Sequence, residues 1–216
     1  MKAVIFDMDG VIVDSEPRHE RAFLDVLREI GYAECHGIKF VDYIGRADRE
    51  IWLDFLAKHK PKQTINQLLE MKRNRIVEII RQEKPVFDGL PALVKKLAIR
   101  YKLAVASGSE LEVVREVLSL EGLREYFPVV VSSTDVTRGK PAPDIFFRAA
   151  ELLGVAPNEC WVIEDSKPGV AAGLAAGMRV IAITNTHKAQ ELGDAAYVAG
   201  SYDEVERLLL CPAETC

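Results

Sequence analysis

The residues best suited to chemistry in this chain are two carboxylates, Asp7 and Asp9, separated by one residue. They follow residues 2–6, an apolar run that predicts a β-strand. Ligands of open α/β folds bind beyond the carboxyl ends of the strands, so both carboxylates are expected at that edge of a sheet. By itself a D-x-D pair is a weak signal, because it also suits a surface loop or the metal site of a glycosyltransferase.

A hydroxyl and a glycine follow a second predicted strand, residues 103–106. Ser107, Gly108 and Ser109 lie between that strand and a helical pattern. The first N–H groups of a helix are unpaired and its dipole is positive there, which favours an anion such as phosphate. A polar residue at a strand end is ordinarily just solvated, so this turn gains weight only from the charged residues described next.

Charged residues follow elsewhere along the chain. Lys140 lies in the loop 139–143, which contains prolines, while Glu164 and Asp165 come directly after the predicted strand 161–163. Each of these residues alone could be a solvated surface group. Taken in this order and in these strand contexts, the set is hard to explain by coincidence.

The set of residues predicts phosphoryl transfer. A carboxylate nucleophile repels a phosphate dianion, so a positive charge must lie between them, and Mg²⁺ can supply it. Asp7, Glu164 and Asp165 offer the hard oxygen ligands that Mg²⁺ prefers. Lys140 would add a fixed positive charge beside the phosphoryl oxygens.

The remaining polar groups fit the same reaction. Asp7 would attack phosphorus, and Ser107 with the nearby backbone N–H groups would hold the equatorial oxygens. Asp9 would protonate the leaving oxygen and then deprotonate the water that attacks the aspartyl phosphate. This division of labour requires two carboxylates in different environments.

The chain carries, in this order, Asp7-Met8-Asp9-Gly10-Val11, Ser107, Lys140 in Gly-Lys-Pro-Ala-Pro-Asp, and Glu164-Asp165-Ser166 with Gly169. These segments resemble the four motifs of the haloacid dehalogenase-like hydrolases, and the resemblance spans nearly the whole chain. It implies a Rossmann-like core, an aspartyl-phosphate intermediate, and Mg²⁺ bound by Asp7, the backbone carbonyl of Asp9, and Asp165. Asp9 argues against dehalogenation itself, since haloacid dehalogenases use no Mg²⁺ and lack this second acid.

The wider sequence predicts an α/β fold with a Rossmann-like parallel sheet, because short β-branched runs alternate with helical patterns. Residues 15–84 break this alternation with three helical patterns and no convincing strand. We therefore predict a core of residues 1–14 and 85–216 and an inserted α-helical cap domain of residues 15–84. The insert resembles the cap of the subgroup that contains β-phosphoglucomutase, phosphoglycolate phosphatase and sugar-phosphate phosphatases. The predicted strands are residues 2–6, 103–106, 129–131, 161–163, 180–183 and 196–198.

The start of the insert carries a histidine that is predicted to bind substrate. Residues 14–19 are similar to the hinge and first cap helix of β-phosphoglucomutase, where a histidine at the position of His19 assists proton management. Phosphatases of this subgroup also carry a histidine there. A histidine that only caps the helix or is solvated explains the position equally well.

A second cap segment, residues 43–49, resembles the substrate-specificity loop of the subgroup. Gly45, Arg46 and Arg49 are the candidate substrate-binding residues in it, although both arginines could equally be solvated. Ile44 stands where β-phosphoglucomutase has a lysine. Because a mutase must hold a second phosphate, the loss of this cation weakens the mutase interpretation.

The composition sets the broad class of protein. The 216 residues are 49% hydrophobic and carry a net charge of −5, which disfavours nucleic acid as a partner. There is no signal-peptide pattern and no apolar run long enough to cross a bilayer, so we expect a cytoplasmic protein without a membrane partner. The four cysteines lack paired spacing and are expected to be free thiols, although Cys211 and Cys216 could pair on oxidation.

Together these observations predict a monomeric enzyme that hydrolyses a small phosphorylated metabolite, such as a sugar phosphate, with Mg²⁺ as cofactor. A hexose-phosphate mutase similar to β-phosphoglucomutase is the alternative. A non-catalytic regulatory module that binds phosphate is disfavoured, because none of Asp7, Asp9, Lys140 and Asp165 is missing.

Overall fold

The computed structural model describes residues 1–43 and 48–210, and the chain divides into two compact units. One unit comprises Met1–Asp14 and Val86–Cys216, and the other comprises Ser15–Pro85. Within residues 1–43 and 48–210, no helix is long and apolar enough to cross a membrane. Several positions singled out in the sequence lie outside the described residues: Ile44, Gly45, Arg46, Cys211 and Cys216.

The first unit is built on a parallel six-stranded sheet with the strand order β3-β2-β1-β4-β5-β6. The predicted α/β fold is therefore confirmed, and each predicted strand is present with its ends within one residue of the prediction. The strands are β1 (Ala3–Phe6), β2 (Lys102–Ala106), β3 (Val129–Val131), β4 (Cys160–Glu164), β5 (Arg179–Ile183) and β6 (Tyr197–Ala199).

The strand order places β1 between β2 and β4, and this arrangement forms the site. Phe6 pairs with Val105 on one side and with Ile163 on the other. Because all three strands run in the same direction, they end at the same level of the sheet. The loops that follow them, which begin at Asp7 and Ser107 and after β4, therefore lie side by side.

The helical unit contains α1 (Glu16–Glu29), α2 (Asp48–Lys58) and α3 (Ile65–Glu83). Thr64 caps the start of α3, because its side chain accepts a hydrogen bond from the backbone N–H of Gln67. The side-chain oxygen of Gln67 in turn accepts a 2.8 Å hydrogen bond from the backbone N–H of Thr64. The apolar faces of these helices form an aromatic core in which the rings of Phe23 and Trp52 lie 4.9 Å apart. This unit therefore has a hydrophobic core of its own.

The sheet unit carries the remaining helices, and its core lies between them and the buried strands. The strands are apolar along almost their whole length, as expected for a parallel sheet covered on both faces. The helices are α4 (Leu90–Ala98), α5 (Leu111–Ser119), α6 (Asp144–Leu153), α7 (Lys167–Ala175) and α8 (Tyr202–Leu210).

Candidate active site

Three charged side chains meet at the carboxyl end of β1 and β4. The ammonium of Lys140 donates one hydrogen bond to Asp7 Oδ1 and another, 2.6 Å long, to Glu164 Oε1. Glu164 is fully buried and Asp7 is only 6% exposed. A buried carboxylate needs a partner of opposite charge, and here one lysine serves two of them.

Glu164 is held by the start of α7 as well as by Lys140. Its Oε2 atom accepts hydrogen bonds of 2.9 Å from the backbone N–H groups of Asp165 and Ser166 and from the Ser166 hydroxyl. A Cβ atom at Gly169 would overlap the Glu164 carboxylate, so a glycine is needed for this close approach. Both Glu164 oxygens thus accept from protein donors, and its predicted role as a metal ligand stays a prediction.

Asp9 is oriented by the turn that follows β2. Its Oδ2 atom accepts a 2.8 Å hydrogen bond from the Ser109 hydroxyl and a longer one, 3.3 Å, from Ser107. The backbone N–H of Ser109 donates to the Ser107 oxygen at 3.0 Å, which closes the turn. Gly108, between the serines, is exposed and has no atom near the position of a Cβ. The structure thus brings these predicted residues together around Asp9.

The chain winds tightly after Asp9. The Met8 carbonyl accepts from the backbone N–H groups of Val11, Ile12 and Val13, at 2.7 to 3.2 Å. Gly10 has a φ of 74°, and a Cβ there would overlap the Asp165 carboxylate. A larger residue would therefore be strained and would displace an acidic side chain of the site.

The charges of the site repel one another. Burial raises the pKa of Asp7 above its ordinary value, Lys140 opposes this rise, and Glu164, Asp9 and Asp165 add to it. Burial and then Glu164 raise the pKa of Asp165 to about 8. Burial would lower the pKa of Lys140, but Asp7 and Glu164 overcome it and raise that pKa. A cation among these carboxylates would relieve the repulsion.

The same acidic cluster has the dimensions of a cation site. One oxygen atom each from Asp7, Glu164 and Asp165 lies within 4.8 Å of the others, and all three residues are buried. Carboxylate oxygens are hard ligands, which suit Mg²⁺ better than a soft metal. The donor set therefore fits the predicted cofactor.

One predicted residue of the helical unit, His19, lies beside a buried lysine, Lys72, that the sequence pattern did not single out. His19 Nδ1 and Asp48 Oδ2 each lie 2.5 Å from the Nζ atom of Lys72, whose side chain is 1% exposed. Arg49 is exposed on α2. The signal for Lys72 was present, since it lies four residues after Leu68 on the apolar face of α3.

The loop after β5 was also missed in the sequence. The Thr186 hydroxyl donates to the Asp165 carboxylate, and His187 Nδ1 lies 3.0 Å from the Asp165 carbonyl oxygen. Asn185 donates to the Gly10 carbonyl at 2.8 Å. The rule that found the other loops, polar residues directly after a strand, would have found this one too.

The chain belongs to the haloacid dehalogenase-like hydrolases, because the model of that family matches residues 1–177. Hexitol phosphatase B of Escherichia coli K12 is 31% identical over 185 residues, which are 84% of this chain and 82% of that one. The fructose-1-phosphate phosphatase YqaB of Escherichia coli K12 is 33% identical over 183 residues, covering 82% of this chain and 94% of the relative.

A solved structure agrees with this assignment. CbbY from Rhodobacter sphaeroides, in complex with phosphate, superposes with a TM-score of 0.84 at 25% identity, covering 95% of this chain and 96% of the other. The family resemblance stated from the motifs is confirmed. Family and relatives together identify this chain as a hydrolase of phosphate monoesters.

Proposed function

We propose that this protein is a Mg²⁺-dependent phosphatase that releases phosphate from a small phosphorylated sugar or sugar alcohol through an aspartyl phosphate on Asp7. The observation that carries the proposal is the buried contact of Asp7 with Lys140 beside the acidic residues Glu164 and Asp165. A carboxylate in such a place has no evident structural use, because burying it is costly. A carboxylate nucleophile that attacks a phosphate dianion needs positive charge beside it, which Lys140 and a bound Mg²⁺ would supply.

Asp7 and Asp165 are the proposed Mg²⁺ ligands, together with the backbone carbonyl of Asp9. Bound Mg²⁺ would neutralise charge on the phosphoryl oxygens and on the nucleophile. The ammonium of Lys140 would bind a phosphoryl oxygen, and Glu164 would hold that ammonium in place. Ser107 and the N–H groups of its turn would hold another oxygen.

The proposed reaction has two steps, and Asp9 serves in both. An Asp7 oxygen forms a bond to phosphorus while the bond to the ester oxygen breaks, and Asp9 gives its proton to that leaving oxygen. Asp9 then takes a proton from water, which attacks phosphorus and releases phosphate and the Asp7 carboxylate. The hydrogen bonds from Ser107 and Ser109 fix the Asp9 carboxyl for both transfers.

The substrate class rests on the relatives. Two of them are named for hexitol phosphates and fructose 1-phosphate, and a third, from Thermotoga maritima, is named a phosphorylated carbohydrates phosphatase. All three are above 30% identical and match more than four-fifths of this chain. We propose that His19, Gly45, Arg46 and Arg49 select among such esters, with Lys72 as an addition from the structure.

The test is a panel of phosphate esters incubated with Mg²⁺, with released phosphate as the readout. The panel contains fructose 1-phosphate, two hexitol phosphates, β-glucose 1-phosphate and phosphoglycolate, and Asp7→Asn is the control variant. We expect wild-type protein to release phosphate from at least one carbohydrate ester and Asp7→Asn to release none. Folded protein that cleaves no ester would contradict the proposal, whereas isomerisation of β-glucose 1-phosphate without release would favour the mutase.

A further inference from the structure

Two side chains from the C-terminal part of the sheet unit hold the turn that follows Asp9. The Tyr202 hydroxyl, at the start of α8, donates a 2.5 Å hydrogen bond to the Val11 carbonyl. Asn185, in the loop after β5, donates one of 2.8 Å to the Gly10 carbonyl and another of 2.9 Å to the Tyr202 oxygen. The two carbonyls that come directly after Asp9 are thus bonded to one connected pair of side chains.

This contact lies in a buried and crowded place. Val11 is fully buried and Tyr202 is 9% exposed, so water does not readily replace a lost donor. The Tyr202 ring packs near Phe87, with 6.2 Å between ring centroids, which anchors the hydroxyl from the other side. Hydrogen bonds are stronger in such buried surroundings, so these hold the backbone of the turn in place.

The position that they fix is that of Asp9. Gly10 and Asp9 are neighbours in the chain, and Asp9 also pairs with Val13 at the far end of the same turn. The serine hydroxyls orient the Asp9 carboxyl from the β2 side, but they do not set where its backbone lies. A shift of the turn would therefore move the carboxyl relative to the substrate.

We propose that Asn185 and Tyr202 are positioning residues for proton transfer by Asp9, an assignment that rests on the proposed phosphatase function. They act through the Gly10 and Val11 carbonyls and touch neither substrate nor metal. Proton transfer depends steeply on the distance between the two heavy atoms, whereas substrate binding tolerates small shifts. Removing the hydrogen bonds of Asn185 and Tyr202 should therefore slow proton transfer by Asp9 more than it weakens substrate binding.

The experiment uses Tyr202→Phe, which keeps the ring and removes the hydroxyl. Its matched control is Tyr101→Phe, because the Tyr101 hydroxyl also donates a buried hydrogen bond to a backbone carbonyl, that of Leu209 in α8, at 2.7 Å. Each variant is assayed with the best carbohydrate phosphate and with p-nitrophenyl phosphate. The second ester has a leaving group that departs without a proton, so it does not need the acid.

We expect Tyr202→Phe to lower kcat/KM for the carbohydrate phosphate by about tenfold to 100-fold. For p-nitrophenyl phosphate we expect kcat/KM to fall by at most about twofold, since its leaving group does not need a proton from Asp9. Asn185→Ala should give the same selective loss, and it serves if Tyr202→Phe fails to fold. Tyr101→Phe should lower the melting temperature without any difference between the two esters.

The outcomes separate the two proposals. If wild-type protein hydrolyses neither ester, the proposed function fails and this assignment fails with it. If wild-type protein is active but Tyr202→Phe and Asn185→Ala lose activity equally towards both esters, or behave as Tyr101→Phe does, the positioning role alone is wrong. In that case the two side chains only stabilise the fold.

Discussion

Lys140 makes the acidic site possible at the level of single residues. Without it, Asp7 and Glu164 would be buried side by side with like charges, which proteins avoid by protonation or by a cation. With it, an ammonium opposes the rise that burial causes in the pKa of Asp7, and the same two carboxylates raise the pKa of that lysine. One ammonium therefore supports both the fold around β4 and the proposed nucleophile.

Asp9 has a different environment from Asp7, and a substitution can test its role. Asp9→Asn keeps the size of the side chain but removes the group that gives and takes the proton. We expect kcat for a carbohydrate phosphate to fall about 10²–10⁴-fold, the range for a lost general acid–base, while substrate affinity changes little. Steady-state kinetics and a direct binding measurement check this, and a kcat within twofold of wild type would remove Asp9 from proton transfer.

At the scale of elements, the strand pattern predicted that Asp7, Ser107 and Glu164 lie at one edge of the sheet, because parallel strands end there. Only the structure shows that their strands are neighbours, with β1 between β2 and β4. The partner of each side chain could not be predicted. The hydrogen bonds of Asn185 and Tyr202 to the turn after Asp9 depend on how β5 and α8 pack, which no local pattern encodes.

Lys72 shows the same limit in the helical unit. A lysine on an apolar helix face can be read from spacing, but its partners His19 and Asp48 come from two other segments of the chain. Only tertiary packing brings them together. The predicted contacts of His19 and Arg49 with substrate depend on this kind of packing and stay predictions.

Helix α7 offers a test in which a glycine-to-alanine substitution should change the free energy of unfolding in the opposite direction to the usual one. Changing glycine to alanine inside a helix ordinarily stabilises it by about 1 kcal/mol. At Gly169 the new methyl group would overlap the Glu164 carboxylate, so we expect Gly169→Ala to lower both the free energy of unfolding and the turnover. Urea unfolding and phosphate release measure the two effects.

Gly139→Ala is the matched control for this substitution, because no atom lies near the position of its Cβ although it adjoins Lys140. We expect it to leave unfolding almost unchanged. If Gly169→Ala were as stable and as active as Gly139→Ala, the close approach of α7 to Glu164 would have no consequence.

At the scale of the whole molecule, the chain passes between its two units at neighbouring places. Val13 and Val86, next to the two crossings, pair as antiparallel residues, so the crossings are tied together within the sheet unit. Asp9 lies at the other end of the same turn. The segment that carries the proposed acid–base is therefore also the segment that leads into the helical unit.

The acidic cluster predicts how pH changes the stability of the metal-free protein. The pKa of Asp165 is raised from 3.8 to about 8 in the folded state, mainly by burial. Between these values the unfolded chain has lost the proton that the folded protein keeps, so the free energy of unfolding falls as pH rises through this window. Urea unfolding in EDTA at a series of pH values should show the fall.

Mg²⁺ should offset that loss of stability, because it favours the ionised carboxylates. A concentration about 100 times its Kd adds about 2.7 kcal/mol to the free energy of unfolding if the ion binds only the folded state. Asp165→Asn is the control, and it should show both a flatter pH dependence in EDTA and a smaller gain from Mg²⁺. Equal stability of wild-type protein in EDTA and in Mg²⁺ near pH 8 would argue against a Mg²⁺ site here.

The central claim is that Asp7 carries the phosphoryl group during turnover. The most direct measurement is to quench the reaction with acid within the first turnovers and to search the peptide that contains Asp7 for an added phosphoryl group by mass spectrometry. We predict a phosphorylated Asp7 that appears before free phosphate and decays at the turnover rate, and no such species in Asp7→Asn. Release of phosphate by wild-type protein with no phosphoryl group on Asp7 at any time, together with an active Asp7→Asn, would contradict the account.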